Sequence, residues 1–199
     1  MPDYTLEAES GLIVAGVDEA GRGPWAGPVV AAAAILDPRN LPSGIDDSKK
    51  LRLSQREALF EALQSCAKIG VGIASVEEID RLNILAATKL AMLRAVEALP
   101  ELPQLALVDG NQPPALPCAV KTVVGGDAIC LSIAAASIIA KVTRDRIMAE
   151  LALEYPHYGW ERNAGYGTSL HQKGLANHGV SPHHRRSYAP IRALLEQAA

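Results

Sequence analysis

Acidic residues follow two apolar runs, a placement that suits metal-dependent chemistry. Asp18 and Glu19 come directly after residues 12–17, and Asp109 follows residues 105–108. In open α/β sheets, ligands bind at the carboxyl ends of strands, so these carboxylates are predicted to share a site. Charges also mark where a strand reaches solvent, and for one acidic pair that explanation is equally good. The second instance of the pattern favours a shared site.

Asp127 is a third candidate position, directly after Gly125 and Gly126 and at the start of a predicted long helix. The position also suits a helix N-cap, and the two roles are compatible. Carboxylates gathered without Lys or Arg between them repel one another, and a hard divalent cation such as Mg²⁺ or Mn²⁺ relieves the repulsion. Such clusters are typical of two-metal phosphoryl chemistry.

Gly21, Arg22 and Gly23 follow the acidic pair and predict a turn. This is not a dinucleotide-binding fingerprint, because the third glycine is Gly27 and a strand follows. A tight turn alone explains two glycines. Beside two carboxylates, however, glycines let the backbone approach a substrate closely, and the Arg22 guanidinium can bind a phosphate. We favour a substrate-binding turn.

Residues 47–50 carry a hydroxyl and two ammonium groups that could bind phosphate, although such a segment alone is most often a solvated helix entry. Segments 165–168 and 183–186 together combine an aromatic face, a hydroxyl and positive charge, a mixture used to stack on nucleotides and to bind phosphates. Zinc is a poor alternative, because the histidines lack accompanying cysteines or an HExxH spacing. The candidate substrate-binding residues in these segments are Ser48, Lys49, Tyr166, Arg185 and Arg186.

Alternating strand and helix patterns predict how these residues are positioned. Apolar, β-branched runs predict strands at 12–17, 29–36, 69–76, 105–108 and 119–124. Helical periodicity predicts helices at 55–66, 83–99 and 128–155. We therefore expect a mixed α/β sheet flanked by helices, in a single domain of residues 1–199. Residues 156–199, rich in aromatic residues, His and Gly, are expected to form a helical substrate-binding appendage.

Composition places the chain among ordinary globular proteins. Its 199 residues are 49% hydrophobic and 21% charged, which excludes a disordered or repeat-dominated chain. No signal pattern begins the sequence, and no apolar run reaches the roughly 18 residues that span a bilayer, so we expect no membrane. The three cysteines have no CxxC spacing and favour a reducing cytoplasm. A monomer is expected by default.

Charge is unevenly distributed along the chain. The net charge of −3 combines −6 in residues 1–140 with +3 in residues 141–199. This balance argues against broad nonspecific binding of nucleic acid but allows a local phosphate-binding patch near the C-terminus.

Ordered sequence blocks occur along residues 16–190. The blocks are GVDEAGRGP from Gly16, DSKKL from Asp47, VDGN from Val108, GDA from Gly126, SIAAASIIAKVTRDR from Ser132, GYGT from Gly165 and HRRS from His184. In this order they resemble the motifs of the bacterial ribonuclease HII family, the type 2 ribonucleases H. Ordered blocks over most of a chain are far more specific than any one motif.

The resemblance implies a ribonuclease H-like fold and an endonuclease that hydrolyses the RNA strand of RNA/DNA hybrids. Matched to the family motifs, the metal-site carboxylates are Asp18, Glu19, Asp109 and Asp127, which would bind two Mg²⁺ or Mn²⁺ ions. The products would carry 3′-hydroxyl and 5′-phosphate ends.

The resemblance also implies how the enzyme would find a ribonucleotide. The turn at 21–23 would sense the ribose 2′-hydroxyl, and Tyr166 would pack against the deoxyribose on the DNA side. The enzyme would then cut 5′ of single ribonucleotides embedded in duplex DNA, a step in their removal during replication and repair. Its partners would be such duplexes and RNA/DNA hybrids.

Strand geometry adds a condition to this assignment. Adjacent residues on an ideal strand point to opposite faces of the sheet. Asp18 and Glu19 are therefore expected to serve one site only where the strand has ended, and the turn at Gly21 makes this possible.

Three other functions have distinct signatures. A DNA nuclease or resolvase with similar acids would cut all-DNA substrates. A noncatalytic binding module would shift a hybrid in a gel without metal-dependent product. A metal-dependent phosphatase would release phosphate from small esters, but it would give the glycine turn and the aromatic C-terminal segment no purpose.

Overall fold

Five strands form one mixed sheet in a computed structural model that describes residues 1–197. The strands are β1 (Val14–Ala20), β2 (Val29–Leu36), β3 (Ala67–Ala74), β4 (Leu105–Asp109) and β5 (Ala119–Val123). Their spatial order is β3-β2-β1-β4-β5. The β1–β2 and β2–β3 pairs are antiparallel, whereas β1–β4 and β4–β5 are parallel. The predicted mixed sheet is confirmed.

Helices cover both faces of this sheet. They are α1 (Thr5–Ser10), α2 (Leu53–Cys66), α3 (Val76–Leu82), α4 (Ile84–Glu97), α5 (Leu131–Glu154), α6 (Trp160–Asn163), α7 (Ser169–His178) and α8 (Ala189–Gln197). Apolar residues of α3 and α4 form a core on one face, and those of α2 and α5 form a core on the other. Among residues 1–197, none of these helices combines the length and apolar character needed to cross a membrane.

Small residues let α5 lie directly against β1. A Cβ atom added to Gly16 would lie 2.1 Å from the backbone carbon of Ser132 in α5. The contact is between two backbones, so no side-chain rotation could relieve it. It fixes α5 relative to the strand that carries Asp18 and Glu19.

Gly16→Ala is therefore expected to lower the free energy of unfolding by about 3 kcal/mol, because the methyl group overpacks a backbone contact. Urea denaturation measures this change. Gly11→Ala is the control, because a Cβ there meets no atom within 4 Å, although the left-handed φ of 63° adds its own strain. If Gly16→Ala were no more destabilising than Gly11→Ala, α5 would be free to move away from β1.

The start of α5 is capped by a side chain from α1. The buried Glu7 carboxylate accepts a hydrogen bond of 2.7 Å from the Ser132 backbone N–H and one of 3.2 Å from Cys130 Sγ. Cys130 itself is the N-cap residue. Asp127 lies in a preceding 3₁₀ turn, Gly126–Ala128, so its interpretation as the N-cap is wrong. Its carboxylate is left available for another role.

The C-terminal region is helical, as expected. Tyr158, Trp160, Leu175 and Ile191 share a small core with Met148 of α5 and with Ala26. The region is therefore packed against the loop that follows β1. Residues 198–199 of the predicted appendage lie outside the described residues.

Candidate active site

The pairing of β1 differs on its two sides, and this difference exposes the acidic pair to one cavity. Pairing with β4 stops at Val17, opposite Val108, whereas pairing with β2 continues to Ala20. Asp18 and Glu19 thus lie within the strand, so the expectation that the strand ends before them is wrong. Within residues 1–197, no strand pairs with this part of β1 on the β4 side, and both side chains line one space.

That space is a cavity of about 280 Å³ at the carboxyl ends of β1 and β4. The predicted site residues that line it are Asp18, Glu19, Gly21, Arg22, Gly23, Ser48, Lys49, Asp109 and Tyr166. Asp127 does not line the cavity, but its carboxylate pairs with Lys49, which does. The remaining predicted residues, Arg185 and Arg186, do not line it.

Buried carboxylates give the cavity an unusual electrostatic character. Burial raises the pKa of Asp18 well above its usual value, and the carboxylates of Glu19 and Asp109 raise it further. Burial also raises the pKa of Glu19, although Arg22, 3.2 Å away, opposes the change. At Asp109, burial raises the pKa against a hydrogen bond of 2.7 Å from the Gly126 N–H. The site thus disfavours its own ionised state.

Two cations lie among these acids, contrary to the expectation of a cluster without Lys or Arg. Lys49 Nζ lies 3.0 Å from Asp127 Oδ2, and Arg22 contacts Glu19. Ser48 is buried beside Lys49, and its backbone N–H donates to Ser137 Oγ at 3.3 Å. The Lys49 side chain is 76% exposed, so it can exchange Asp127 for another anion.

The donor set fits hard divalent cations by type and charge. Its oxygen ligands are the ones that Mg²⁺ and Mn²⁺ prefer, and the repulsion that raises the Asp18 pKa is what a cation would relieve. Within residues 1–197, no three His, Cys, Asp or Glu side chains already converge as a metal site. Binding would therefore draw the carboxylates closer together.

The turn after β1 is shaped by a buried arginine from α5. Gly21 has a φ of 97°, and a Cβ there would lie 1.9 Å from Arg144 Nε. The Arg144 guanidinium donates to the carbonyls of Ala26, Pro28 and Ala164 at 2.9–3.1 Å. Gly21 is thus required both for its backbone conformation and for space.

Arg185 lies behind the turn, which differs from the predicted substrate contact. Its side chain has no exposed surface, and its guanidinium donates to the carbonyls of Gly21, Arg22 and Gly27. These bonds draw the carbonyl oxygens toward the protein interior. Arg185 therefore positions the turn.

Arg186 is exposed, but it lines a different cavity beside Asp80. Its backbone N–H donates to Asp80 Oδ2 at 2.9 Å. The structure therefore does not bring Arg186 to the predicted site.

Tyr166 lines the same cavity as the acids. Its side chain is half exposed, and a Cβ on Gly23 would lie 3.3 Å from Tyr166 Cε1. The Trp25 N–H donates to the Gly165 carbonyl at 2.8 Å, and the Trp25 ring leaves no room for a Cβ at Gly167. The turn and the tyrosine loop, residues 165–168, thus form one continuous surface.

Sequence reasoning missed two basic residues of α5 that line the cavity. Lys141 and Arg144 are three residues apart, so they lie on the same side of the helix. The sequence could have identified them, because they are the first charged residues after a long apolar stretch of this helix. Lys141 Nζ pairs with Asp145 Oδ1 at 2.7 Å.

Comparison with known proteins agrees with this geometry. The family profile described as Ribonuclease HII matches residues 15–191. Ribonuclease HII of Granulibacter bethesdensis is 62% identical, covering 98% of this chain and 92% of that protein. Ribonuclease HII of Paramagnetospirillum magneticum is 61% identical, with coverages of 96% and 97%.

A solved structure extends the agreement to the fold. Ribonuclease H2 from Pyrococcus horikoshii OT3 superposes with a TM-score of 0.78 at 32% identity, covering 92% of this chain and 97% of that one. The ribonuclease H-like fold expected from the motifs is confirmed. The chain belongs to the ribonuclease HII family and is a metal-dependent ribonuclease.

Proposed function

We propose that this enzyme cuts the RNA strand of RNA/DNA hybrids and also cuts on the 5′ side of single ribonucleotides embedded in duplex DNA. Family membership supports the endonuclease activity on hybrids. The observation that carries the finer proposal is the single cavity in which buried acids, a glycine turn and Tyr166 meet.

In this proposal, two Mg²⁺ or Mn²⁺ ions are held by Asp18, Glu19, Asp109 and Asp127. When bound, the ions supply an activated water for in-line attack and stabilise the leaving oxygen, which gives 3′-hydroxyl and 5′-phosphate ends. The chain contributes the buried carboxylates, whose mutual repulsion favours cation binding. Lys49, released from Asp127, binds a phosphate oxygen near Ser48.

Selectivity for a ribonucleotide is proposed to come from the turn. RNA differs from DNA by the 2′-hydroxyl, and backbone groups at Gly21 and Gly23 can approach it without side-chain obstruction. Arg22, whose side chain is half exposed, would contact the phosphate. Tyr166 packs against the deoxyribose of the neighbouring nucleotide, so the site recognises a junction between RNA and DNA.

The cellular setting is part of the same proposal. Cys66, Cys118 and Cys130 are free thiols, which supports a reducing compartment, the cytoplasm. The default expectation of a monomer that acts on these duplexes is kept as part of this proposal. The reaction would remove ribonucleotides during DNA replication and repair.

The test is cleavage of three labelled substrates: a DNA duplex with one ribonucleotide, an all-DNA duplex and a continuous hybrid. Each is incubated with Mg²⁺, Mn²⁺ or chelator. We expect a cut 5′ of the lone ribonucleotide, lost with chelator and absent from all-DNA. Cleavage confined to the continuous hybrid would keep the metal site but contradict the roles of the turn and Tyr166. Cleavage of all-DNA would indicate a DNA nuclease instead.

A further inference from the structure

Two buried histidines link the C-terminal segment to the backbone of Tyr166. His171 and His184 are fully buried, and their Nε2 atoms lie 2.9 Å apart. His171 Nδ1 lies 3.0 Å from the Tyr166 carbonyl oxygen, and the Ser181 N–H lies 3.0 Å from His184 Nδ1. Neither histidine lines the cavity.

The partners at the two ends of this chain determine where the protons lie. A carbonyl oxygen only accepts, so His171 Nδ1 carries the proton donated to Tyr166. The Ser181 backbone N–H only donates, so His184 Nδ1 is the acceptor and its proton is on Nε2. His184 Nε2–H therefore donates to His171 Nε2, which also accepts from Trp160 Nε1–H at 3.2 Å.

Burial keeps both imidazoles neutral, as this arrangement requires. Burial lowers the pKa of His184 to about 3, and the adjacent His171 lowers it further. Burial also lowers the pKa of His171. All hydrogen bonds thus run in one direction, from Ser181 through the two rings to Tyr166.

Backbone contacts hold the tyrosine on both sides: its N–H donates to the Asn163 carbonyl at 2.9 Å, and Trp25 contacts Gly165 and Gly167. Its ring is half exposed and rests on Gly23, which offers no side chain. The Tyr166 carbonyl has two donors, His171 and the Thr168 N–H at 2.8 Å. Gly167 follows and restricts the backbone least. Loss of the histidine bond would leave the Tyr166 carbonyl with one local donor.

We propose that His171, kept in its tautomer by His184, is a positioning residue that fixes the Tyr166 loop and so sets selectivity for a ribonucleotide beside DNA. This inference rests on the role given to Tyr166 under the proposed function. It predicts an effect on substrate preference from residues that do not touch the substrate.

Two substitutions at one position separate the two ring nitrogens. His171→Asn can place its amide N–H near the former Nδ1 and keep the bond to Tyr166. His171→Gln reaches only the position of Nε2 and loses that bond. The readout is kcat/KM on the single-ribonucleotide duplex divided by kcat/KM on the continuous hybrid. Loss of one hydrogen bond predicts a fall of about 5–10-fold in this ratio for His171→Gln, and a smaller fall for His171→Asn.

Two reference variants complete the design. Tyr166→Ala should lower the ratio at least as much as His171→Gln. His178→Gln, which alters an exposed histidine stacked on His157, should leave it unchanged. If Tyr166→Ala lowered the ratio but the two His171 variants did not differ, the inference would be overturned and the proposed function would stand. If Tyr166→Ala left the ratio unchanged, the role of Tyr166 would fail, and this inference with it.

A spectroscopic measurement on the unaltered protein tests the network without any risk of misfolding. Nitrogen-15 NMR of the imidazoles should show neutral His171 protonated on Nδ1 and neutral His184 protonated on Nε2. The opposite tautomer at His171 would overturn the inference, because Nδ1 could then not donate to Tyr166.

Discussion

Asp18→Asn is expected to lower kcat by about 10³-fold or more. The variant loses one of the carboxylates proposed to neutralise and position the metal ions. The same change should raise the melting temperature of the metal-free protein. Asp18 is buried beside two other carboxylates, and Asn removes a charge that this environment disfavours. Cleavage assays and thermal melts in chelator measure the two effects.

The gain in stability should depend on pH in a defined direction. Because the folded-state pKa of Asp18 is raised, the ionised carboxylate destabilises the fold at neutral pH. As the pH falls below the unfolded value of about 3.9, the group is protonated in both states and the penalty disappears. The melting temperatures of parent and variant should therefore differ most at neutral pH and converge in acid.

Added metal and a control variant test this prediction. Mg²⁺ should raise the melting temperature of the parent more than that of Asp18→Asn, since binding stabilises only the folded state. Asp37→Asn is the control, because Asp37 forms an exposed ion pair with Arg39 away from the cavity. Cleavage by Asp18→Asn at the parent rate in excess metal would show that the site is misassigned.

Arg185→Met should lower the free energy of unfolding by about 3–5 kcal/mol, since each buried carbonyl left without a donor costs about 1–3 kcal/mol. The carbonyls of Gly21 and Gly27 would lose their guanidinium partner, whereas the Arg22 carbonyl would keep the hydrogen bond that the Tyr188 hydroxyl donates. Arg186→Met is the matched control. Its side chain is exposed, so the change should stay within about 0.5 kcal/mol.

Urea denaturation distinguishes the two neighbouring arginines, and kinetics tests the alternative role of Arg185. If Arg185 bound a substrate phosphate directly, Arg185→Met would raise KM and leave stability close to that of the parent. We expect the opposite result. Arg185→Met lowers the stability of the fold, and loss of cleavage follows from a misshapen turn. Equal stability of the two variants would contradict the buried-support role.

Strand patterns in the sequence located the sheet well, but they did not resolve every boundary. All five predicted strands exist, and their β-branched residues suit an extended backbone. β1 continues through Asp18 and Glu19 because β2 still pairs with it, which local sequence does not reveal. Helix α3 was missed, although Ser75 and Glu78 form a capping box at its start.

Residue types in the sequence identified the candidate site residues, but they did not indicate which way each side chain points. Asp18, Glu19, Asp109, the glycine turn and Tyr166 line one cavity, whereas Asp127 contacts it only through Lys49. Arg185 and Arg186 look equivalent in the sequence, yet one is buried and the other exposed. That difference depends on the loop after β1 packing against the C-terminal segment, a contact between residues distant in sequence.

The two sides of this long-range contact are synthesised at different times: the turn is made well before the arginine that supports it. Arg185 lies 163 positions after the Arg22 carbonyl that it holds. At about 5–20 residues per second, the ribosome needs roughly 8–33 s to cover that interval. A nascent chain can thus carry all four carboxylates before its substrate turn is shaped. If the turn selects ribonucleotides as proposed, that selectivity is acquired only after Arg185 has been synthesised and has left the ribosome.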